Sequence, residues 1–292
     1  MKRILVIGAS GRVGRQVVSQ SLSADTRIRA LFRNPDSANL PSEVEVVRGD
    51  LTVPETLDAS LDGVDSVFLV WTAPAAAVPA ALERIARHAG QVVFLSSPHQ
   101  TSHPLFQGSL PNPVAVLHAN IERLIRASGL RWTFLRPGML AANAVSWWAP
   151  QIRAGDVVRW PYAHVPTAPI DECDIAAVAV RALSDESSAG AEYVLTGPES
   201  LSHVEQVSTI GSVLGRSLGY EEVAPADWLR QLPADIPAPA ARMLLAAWGA
   251  AVGQPALITS TVAEIIGKPS RTFGQWAMEN AAAFLPHPSA RT

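Results

Sequence analysis

The sequence is poor in several features, and each scarcity removes a class of explanation. Cys173 is the only cysteine among 292 residues, so disulfides within the chain and thiolate metal clusters are excluded. No block or stripe of basic residues occurs and the net charge is −3, which argues against nucleic acid as a main partner. No apolar run approaches the length that crosses a bilayer, so no membrane association is expected. Met1-Lys2-Arg3 leads straight into an apolar strand and a glycine turn, which reads as a core element rather than a signal peptide. A reducing, cytoplasmic setting is the expectation. His99 and His103 are spaced as metal ligands can be, but Pro98 and Pro104 leave no helix to align them and no third ligand follows nearby; no metal site is expected. Internal repeats are also lacking. Charged residues make up 17% and hydrophobic ones 48%, the balance of a well-buried globular protein.

What is present begins at once. The β-branched run Ile4-Leu5-Val6-Ile7 enters Gly8-Ala9-Ser10-Gly11-Arg12-Val13-Gly14, and an amphipathic helix should follow with Val13, Val17 and Val18 inward. A second strand is expected over Ile28 to Phe32. In this β-turn-α-β unit Gly8 allows the tight turn, Gly11 removes a Cβ from the path of a pyrophosphate, and Gly14 lets helix and strand pack closely. The helix N-terminus then offers free N–H groups and a partial positive charge to phosphates. Where an NAD site wants an acidic side chain at the end of the second strand, this chain has Arg33, and Arg12 stands inside the glycine loop. Both guanidiniums suit a ribose 2′-phosphate, so NADP(H) is preferred over NAD; the other reading makes them solvated surface cations.

Further strands are expected around Val44 to Val47, at Ser66 to Val70 and at Gln91 to Leu95, with helices at Pro54 to Ser60 and Ala76 to His88. Unbroken apolar runs such as Val67-Phe68-Leu69-Val70 suit parallel strands covered on both faces. The loop Trp71-Thr72-Ala73-Pro74 lies beyond a strand end, where ligands of open α/β sheets sit. Trp71 either covers the ribose or packs in the core. A helix capped by Asn112, with Pro113 in its first turn, should carry Val114, Leu117, Ile121, Leu124 and Ile125 and end at Gly129. It is followed by a sixth strand that ends in Arg136-Pro137-Gly138. Later come Trp147-Trp148, Trp160-Pro161-Tyr162 and His164, aromatics that suit a flat apolar substrate or plain core. A helix begins near Asp171, Tyr193 to Pro198 reads as a returning strand and turn, and Ser202 caps His203 to Leu214. Tyr220 to Pro239 is acidic and proline-rich, Ala240 to Val252 is apolar, and a last helix should be packed by Phe273, Trp276 and Phe284.

The Gly8/Gly11/Gly14 spacing together with the Arg136-Pro137-Gly138 turn resembles the NmrA-like group of atypical short-chain dehydrogenase/reductases, and the likeness extends over nearly the whole chain. The resemblance implies a Rossmann-type, doubly wound α/β fold with a parallel sheet: an NAD(P)-binding core over residues 1–136, and over 137–292 mostly a smaller substrate-binding lobe with some segments returning to the core. It implies that Asp50, in Gly49-Asp50-Leu51, accepts from the adenine amino group, where the chemistry alone equally allows a turn-capping Asp. It places Ser96 or Ser97 where the superfamily's serine binds the substrate carbonyl, Asn143 a few residues past the Arg-Pro-Gly turn, and Asp174 as a structural aspartate. Nucleotide contacts are expected from Gly8, Ser10, Gly11, Arg12, Val13, Gly14, Arg33, Asp50, Leu51, Val70, Trp71, Thr72, Pro137 and Gly138, and substrate contacts from His99, Asn143, Trp147 and Trp160.

At the superfamily's Tyr-x-x-x-Lys positions this chain reads His118-Ala119-Asn120-Ile121-Glu122. His118 and Glu122 share a helix face, and a carboxylate partner would raise the imidazole's pKa and let it act as an acid near neutral pH. Glu122 cannot activate a tyrosine as lysine does, and both residues can equally be structural. Arg136 can hold backbone carbonyls rather than substrate. The resemblance implies an NADPH-dependent oxidoreductase that reduces a small conjugated or aromatic carbonyl or quinone, with His118, Glu122, Ser96 and Ser97 as its catalytic group. The rival expectations are a non-catalytic NADP(H)-sensing regulator acting through a protein partner, and a non-redox isomerase or cyclase on a Rossmann scaffold. A homodimer is also compatible with the sequence.

Overall fold

The computed structural model describes residues 2–23, 25–107, 112–232 and 236–286. The tip of the loop between His99 and Pro113, residues 108–111, therefore lies outside the described residues, as does part of the expected proline-rich stretch, residues 233–235. The opening elements are β1 (Lys2–Ile7), α1 (Arg12–Ser21), β2 (Thr26–Phe32), β3 (Glu45–Arg48), α2 (Leu57–Leu61), β4 (Ser66–Val70), α3 (Val78–His88), β5 (Gln91–Leu95), α4 (Pro113–Ala127) and β6 (Arg131–Pro137). Then follow α5 (Asn143–Ala154), β7 (Val157–Trp160), β8 (Pro166–Thr167), α6 (Glu172–Ser184), β9 (Ala191–Leu195), β10 (Leu201–Ser202), α7 (His203–Leu214), β11 (Gly219–Glu222), α8 (Pro225–Arg230), α9 (Ala238–Ala251), α10 (Thr261–Ile266) and α11 (Phe273–Glu279).

A seven-stranded parallel sheet runs in the order β3-β2-β1-β4-β5-β6-β9. The order reverses direction between β1 and β4, and the crevice for a ligand opens above the carboxyl ends of the strands on either side of that point. The alternation of the strands explains their unbroken apolar sequences. Ile4, Val6, Phe68, Val93 and Leu135 pack on one face against Val13, Val17 and Val18 of α1 and Ile175, Val178 and Ala179 of α6. Leu5, Ile7, Val67, Leu69, Val92 and Phe94 pack on the other against α2, α3 and α4, through Leu57, Leu82, Ile85, Ile121 and Ile125. The strand expected to return at Tyr193 is β9, which joins the sheet beside β6, while α6 covers the sheet next to α1.

Local signals set the helix ends. Asn112 Oδ1 accepts from the Ala115 N–H at 3.1 Å, and Gly129 (φ 81°) follows the last turn of α4. Ser202 and Glu205 form a reciprocal capping box on α7, which Gly215 closes in the left-handed conformation. The segment beginning at Tyr220 is more regular than its proline content suggests: β11 pairs in parallel with β7, and α8 follows. That small sheet orders a stretch whose composition alone reads as a loop.

A further hydrophobic core, drawn mostly from residues after β6, is built on aromatic rings. Trp147, Trp148 and Trp248 pack against His203, with the His203–Trp248 ring centroids at 4.9 Å, and Trp160 and Trp228, 4.8 Å apart, extend the cluster. His203 is fully buried and its Nδ1 donates to the Pro161 carbonyl at 3.3 Å. Burial pushes its pKa down from 6.5 to about 4, against a smaller opposing pull from the Pro161 and Tyr162 carbonyls. The unfolded chain therefore binds a proton on this ring more readily than the folded one, so stability is complete above pH 6.5 and falls as pH drops toward 4. The loss is on the order of 3 kcal/mol. Unfolding measured against pH should accordingly show a shallower decline over this window for His203→Gln than for the parent; equal slopes would show that the ring does not carry the proton linkage.

Candidate functional site

The glycine turn behaves as its spacing requires. Gly8 adopts φ 94°, and a Cβ on Gly14 would stand 2.1 Å from the Gly8 carbonyl oxygen, so strand and helix meet too closely for any side chain there. No side chain caps α1 at Gly11, which leaves its first N–H groups free for an anion. A cleft of about 450 Å³ opens here, lined by Gly8, Ser10 and Gly11, by Arg33, Asn34 and Ser37 after β2, by Asp50, Leu51 and Thr52 after β3, and by Val70, Thr72, Ala73 and Pro74 after β4. This is the shape of a dinucleotide site: a phosphate cradle of backbone N–H groups at the switch point, and an exposed Arg33 where a ribose 2′ substituent belongs. Asn34 and Ser37 were not expected in it. They arrive because Asn34 Oδ1 caps the turn Pro35–Ser37, a local signal readable in Asn-Pro-Asp-Ser.

Other expected contacts fall differently. Asp50 Oδ1 accepts from the Thr52 N–H and hydroxyl, both at 2.8 Å, and these bonds, with the Arg33 charge adding to them, hold its carboxyl below the usual range. The carboxylate thus shapes its own turn while lining the cleft. Trp71 is turned into the core below the sheet edge, and its Nε1 donates to the Ala73 carbonyl at 2.6 Å, so the packing alternative holds in place of a ribose cover. Val13 is likewise buried against the sheet. Arg12 lies on the far side of the glycine loop, in a second cleft with Ser10, Arg15, Asp171, Glu172 and Cys173. Asp171, Cys173 and Glu279 gather ligand atoms within 4.8 Å of one another, but Arg271 already pairs with both acids at 2.6 Å. Burial, with the Asp171 charge, pushes the Cys173 thiol up to about 12, so no thiolate forms there near neutral pH.

Beyond β5 and β6 lies an apolar cavity of about 190 Å³. Ser97, Pro98, His99, Leu105 and Phe106 form one wall, Pro137, Gly138 and Met139 another, and Met243, Leu244, Ala247 and Trp248 of α9 the third. Gly138 stands against Phe106, with room of only 3.4 Å between that ring and a would-be Cβ, while its N–H donates to the Leu195 carbonyl. Only the Pro137-Gly138 wall carries a motif; Leu105, Phe106, Met243, Leu244 and Trp248 escaped the sequence reading because they come from distant segments without one. Of the expected substrate contacts, His99 lines the cavity. Asn143 opens α5, Trp147 lines a different cleft with Pro150, Gln151 and Trp228, and Trp160 is wholly buried in the aromatic core.

Behind this cavity the catalytic candidates separate. Glu122 is completely buried and gripped by Arg136, with Nε at 3.0 Å from Oε1 and Nη2 at 2.6 Å from Oε2, and Ser96 Oγ donates to Oε1 at 2.6 Å. Arg126 reaches Oε2 at 3.3 Å, and both arginines also pair with Glu192 of β9. Burial opposes ionisation of Glu122, but the bonds from Arg136 and Ser96 with the Arg136 charge outweigh it, so the carboxyl stays below its usual range and Arg136 is held further above its own. Arg136 thus holds carboxylates, where backbone carbonyls were expected. His118 is not drawn into this network. Its ring packs edge-on to Phe94 at 5.4 Å, and burial, with repulsion from His99, lowers its pKa to about 4 despite the pull of Glu122. The expected rise is reversed, because desolvation exceeds the attraction of a carboxylate already neutralised by two arginines.

Comparison with known proteins agrees with this architecture. The NmrA-like family model matches residues 1–251. The chain is 36% identical over 285 residues to a (4-alkanoyl-5-oxo-2,5-dihydrofuran-3-yl)methyl phosphate reductase of Streptomyces griseus, covering 97% of this chain and 99% of the relative. It is 32% identical to an NAD(P)H azoreductase of Xenophilus azovorans, with 96% and 99% covered. Among solved structures, an NADPH-dependent quinone oxidoreductase of Escherichia coli superposes with a TM-score of 0.78 at 23% identity, covering 94% of this chain and 98% of that one. Removing one charge of the buried network should be costly: Glu122→Gln leaves Arg136 short of its bidentate partner and should lower stability by about 3 kcal/mol in denaturant titration. A change below about 1 kcal/mol would show that Glu192 and water suffice for Arg136.

Proposed function

Because the chain belongs to the NmrA-like family, we propose that it is an NADPH-dependent reductase acting on a small, uncharged conjugated or aromatic carbonyl compound or quinone. The observation that carries this reading is the pairing, along one edge of the sheet, of a cleft with a phosphate cradle and a smaller, apolar cavity. Reductase names among the relatives support it. When bound, NADPH supplies a hydride, which is the difficult part of the chemistry. The chain's own groups do the rest. Backbone N–H groups around Ser10 and Gly11 seat the pyrophosphate, and Arg33 with Asn34 and Ser37 receives the adenosine end, the guanidinium favouring a 2′-phosphate. Leu105, Phe106, Met139, Met243, Leu244 and Trp248 exclude water and select a flat apolar molecule.

No lysine or arginine lines this cavity among the described residues, and the segment Gly108-Ser109-Leu110-Pro111 contains none. An ionised phosphate on the substrate, as in the name of the Streptomyces griseus relative, would lack a counter-charge here. A second reading, an NADP(H)-sensing regulator, is favoured by His118 and Glu122 standing at the Tyr and Lys positions of the superfamily. It shares the nucleotide site and differs in turnover.

Titration with NADPH, NADP and NADH tests the cofactor site. Arg33→Ala should weaken NADPH about tenfold or more, the worth of one charge-assisted hydrogen bond, and leave NADH nearly unchanged. Failure of every nucleotide to bind would remove the basis of both readings. With binding established, NADPH oxidation by naphthoquinones and enones supports the reductase, a clear preference for phosphorylated butenolides refutes the uncharged substrate class, and binding without turnover of any acceptor favours the regulator.

A further inference from the structure

The walls of the apolar cavity carry few polar side chains; among the described residues three of them have an unspent polar atom, the Trp248 indole Nε1 on α9 and, together on the loop after β5, Ser97 Oγ and His99 Nε2. Asn112 uses its Oδ1 to cap α4. Ser97 Oγ and His99 Nε2, by contrast, are buried and have no hydrogen-bond partner among the described residues. A buried polar atom without a partner is costly, and two side by side on one cavity wall point to a group that arrives to pair them.

Their orientation is held from behind. His99 Nδ1 lies 2.9 Å from the Ser97 carbonyl oxygen; a carbonyl only accepts, so Nδ1 carries a hydrogen and Nε2 is the position open to a partner. Glu122 Oε2 stands 3.8 Å from that Nε2, beyond hydrogen-bond reach, and both oxygens of Glu122 are already engaged by Ser96, Arg136 and Arg126. The carboxylate is a nearby counter-charge for a protonated ring without occupying its outer nitrogen. His118 does not line the cavity, and its ring packs on Phe94.

We propose that Ser97 Oγ and His99 Nε2 form the site for the substrate's reacting oxygen, and that His99, rather than His118, delivers the proton. The proposal rests on the reductase reading. The hydride supplied by NADPH forms a C–H bond at the carbonyl carbon or at a carbon conjugated to it, and the displaced π pair settles on oxygen. Ser97 Oγ–H hydrogen-bonds that oxygen. The Nε2–H bond of doubly protonated His99 breaks as an O–H bond forms, which leaves a neutral ring still donating from Nδ1 to the Ser97 carbonyl. Solvent returns the proton, so one acceptor, one NADPH and one proton give the reduced product and NADP. The role that the superfamily assigns to a helix tyrosine is thus filled from the loop after β5.

The test separates oxygen binding from proton delivery. Binding of 2-naphthol and of its hydroxyl-free counterpart 2-methylnaphthalene to the nucleotide-free protein is followed by tryptophan fluorescence, since Trp248 lines the cavity. The parent should prefer the naphthol about tenfold, and Ser97→Ala and His99→Leu should each reduce that preference. His99→Gln, which can hydrogen-bond but not transfer a proton, should retain it while lowering kcat for a naphthoquinone about 100-fold or more, with NADPH affinity unchanged. A naphthol preference that persists in both Ser97→Ala and His99→Leu overturns the oxygen site. A kcat for His99→Gln equal to that of the parent overturns the proton step. A parent that shows the preference, loses it on these substitutions and turns over no acceptor keeps the oxygen site and overturns the reductase reading together with the proton step.

Discussion

The strand ends beside the apolar cavity are arranged around one buried carboxylate. Glu122 has no exposure to water, and its ionised form persists because Arg136 meets it with two parallel N–H bonds and Ser96 adds a third. That single group ties α4 to the ends of β5 and β6, and through Arg126, Arg136 and Glu192 the tie extends to β9. A pair of this kind adds little net stability over apolar residues of the same size, but it admits few geometries and is expensive to break. Its contribution here is positional. The strand ends that carry Ser96, Ser97, Pro137 and Gly138 are fixed to the helix that passes behind them.

The same carboxylate explains how the chain can depart from the Tyr-x-x-x-Lys pattern and keep an ordered site. At the second position of that pair a cation has become an anion, and its complement comes from the strand rather than the helix, as Arg136 at the end of β6. The charge at this position is consumed internally, by Arg136 and Arg126. His118, at the first position, is held neutral near pH 7 by burial, which leaves it without a proton to give. Beside the cavity, the loop after β5 carries two unspent polar atoms, Ser97 Oγ and His99 Nε2.

The core could be read from sequence because its rules are local and repetitive. Apolar alternation, the glycine spacing at Gly8, Gly11 and Gly14, the Asn112 and Ser202 caps, and the returning strand near Tyr193 each depend on a few neighbouring residues, and each is present in the structure. The cavity could not be read in this way. Met243, Leu244 and Trp248 lie more than a hundred residues from Ser97 and His99, and nothing in an alanine-rich apolar helix says which face will close over a strand end. Side-chain direction was the other blind spot. Trp71 stands after a strand end as expected and Trp160 among the aromatics of the second half, yet an indole buries so much apolar area that both rings turn into cores.

The aromatic core gives the cavity its fixed shape. Trp248 belongs to two environments: its ring packs against Trp147, Trp160, Trp228 and His203, and the same residue forms part of the cavity wall with Met243 and Leu244. A wall backed by close-packed rings cannot yield without repacking several of them, whereas unbranched Met139 and Met243 on either side of the cavity can adapt. Rigidity therefore lies on the α9 side, at the tryptophan, and plasticity lies at the methionines. A pocket of this kind selects first on thickness and on charge, and only weakly on outline, so under the reductase proposal closely related flat acceptors would be discriminated less by the cavity than by how well their oxygen meets Ser97 and His99.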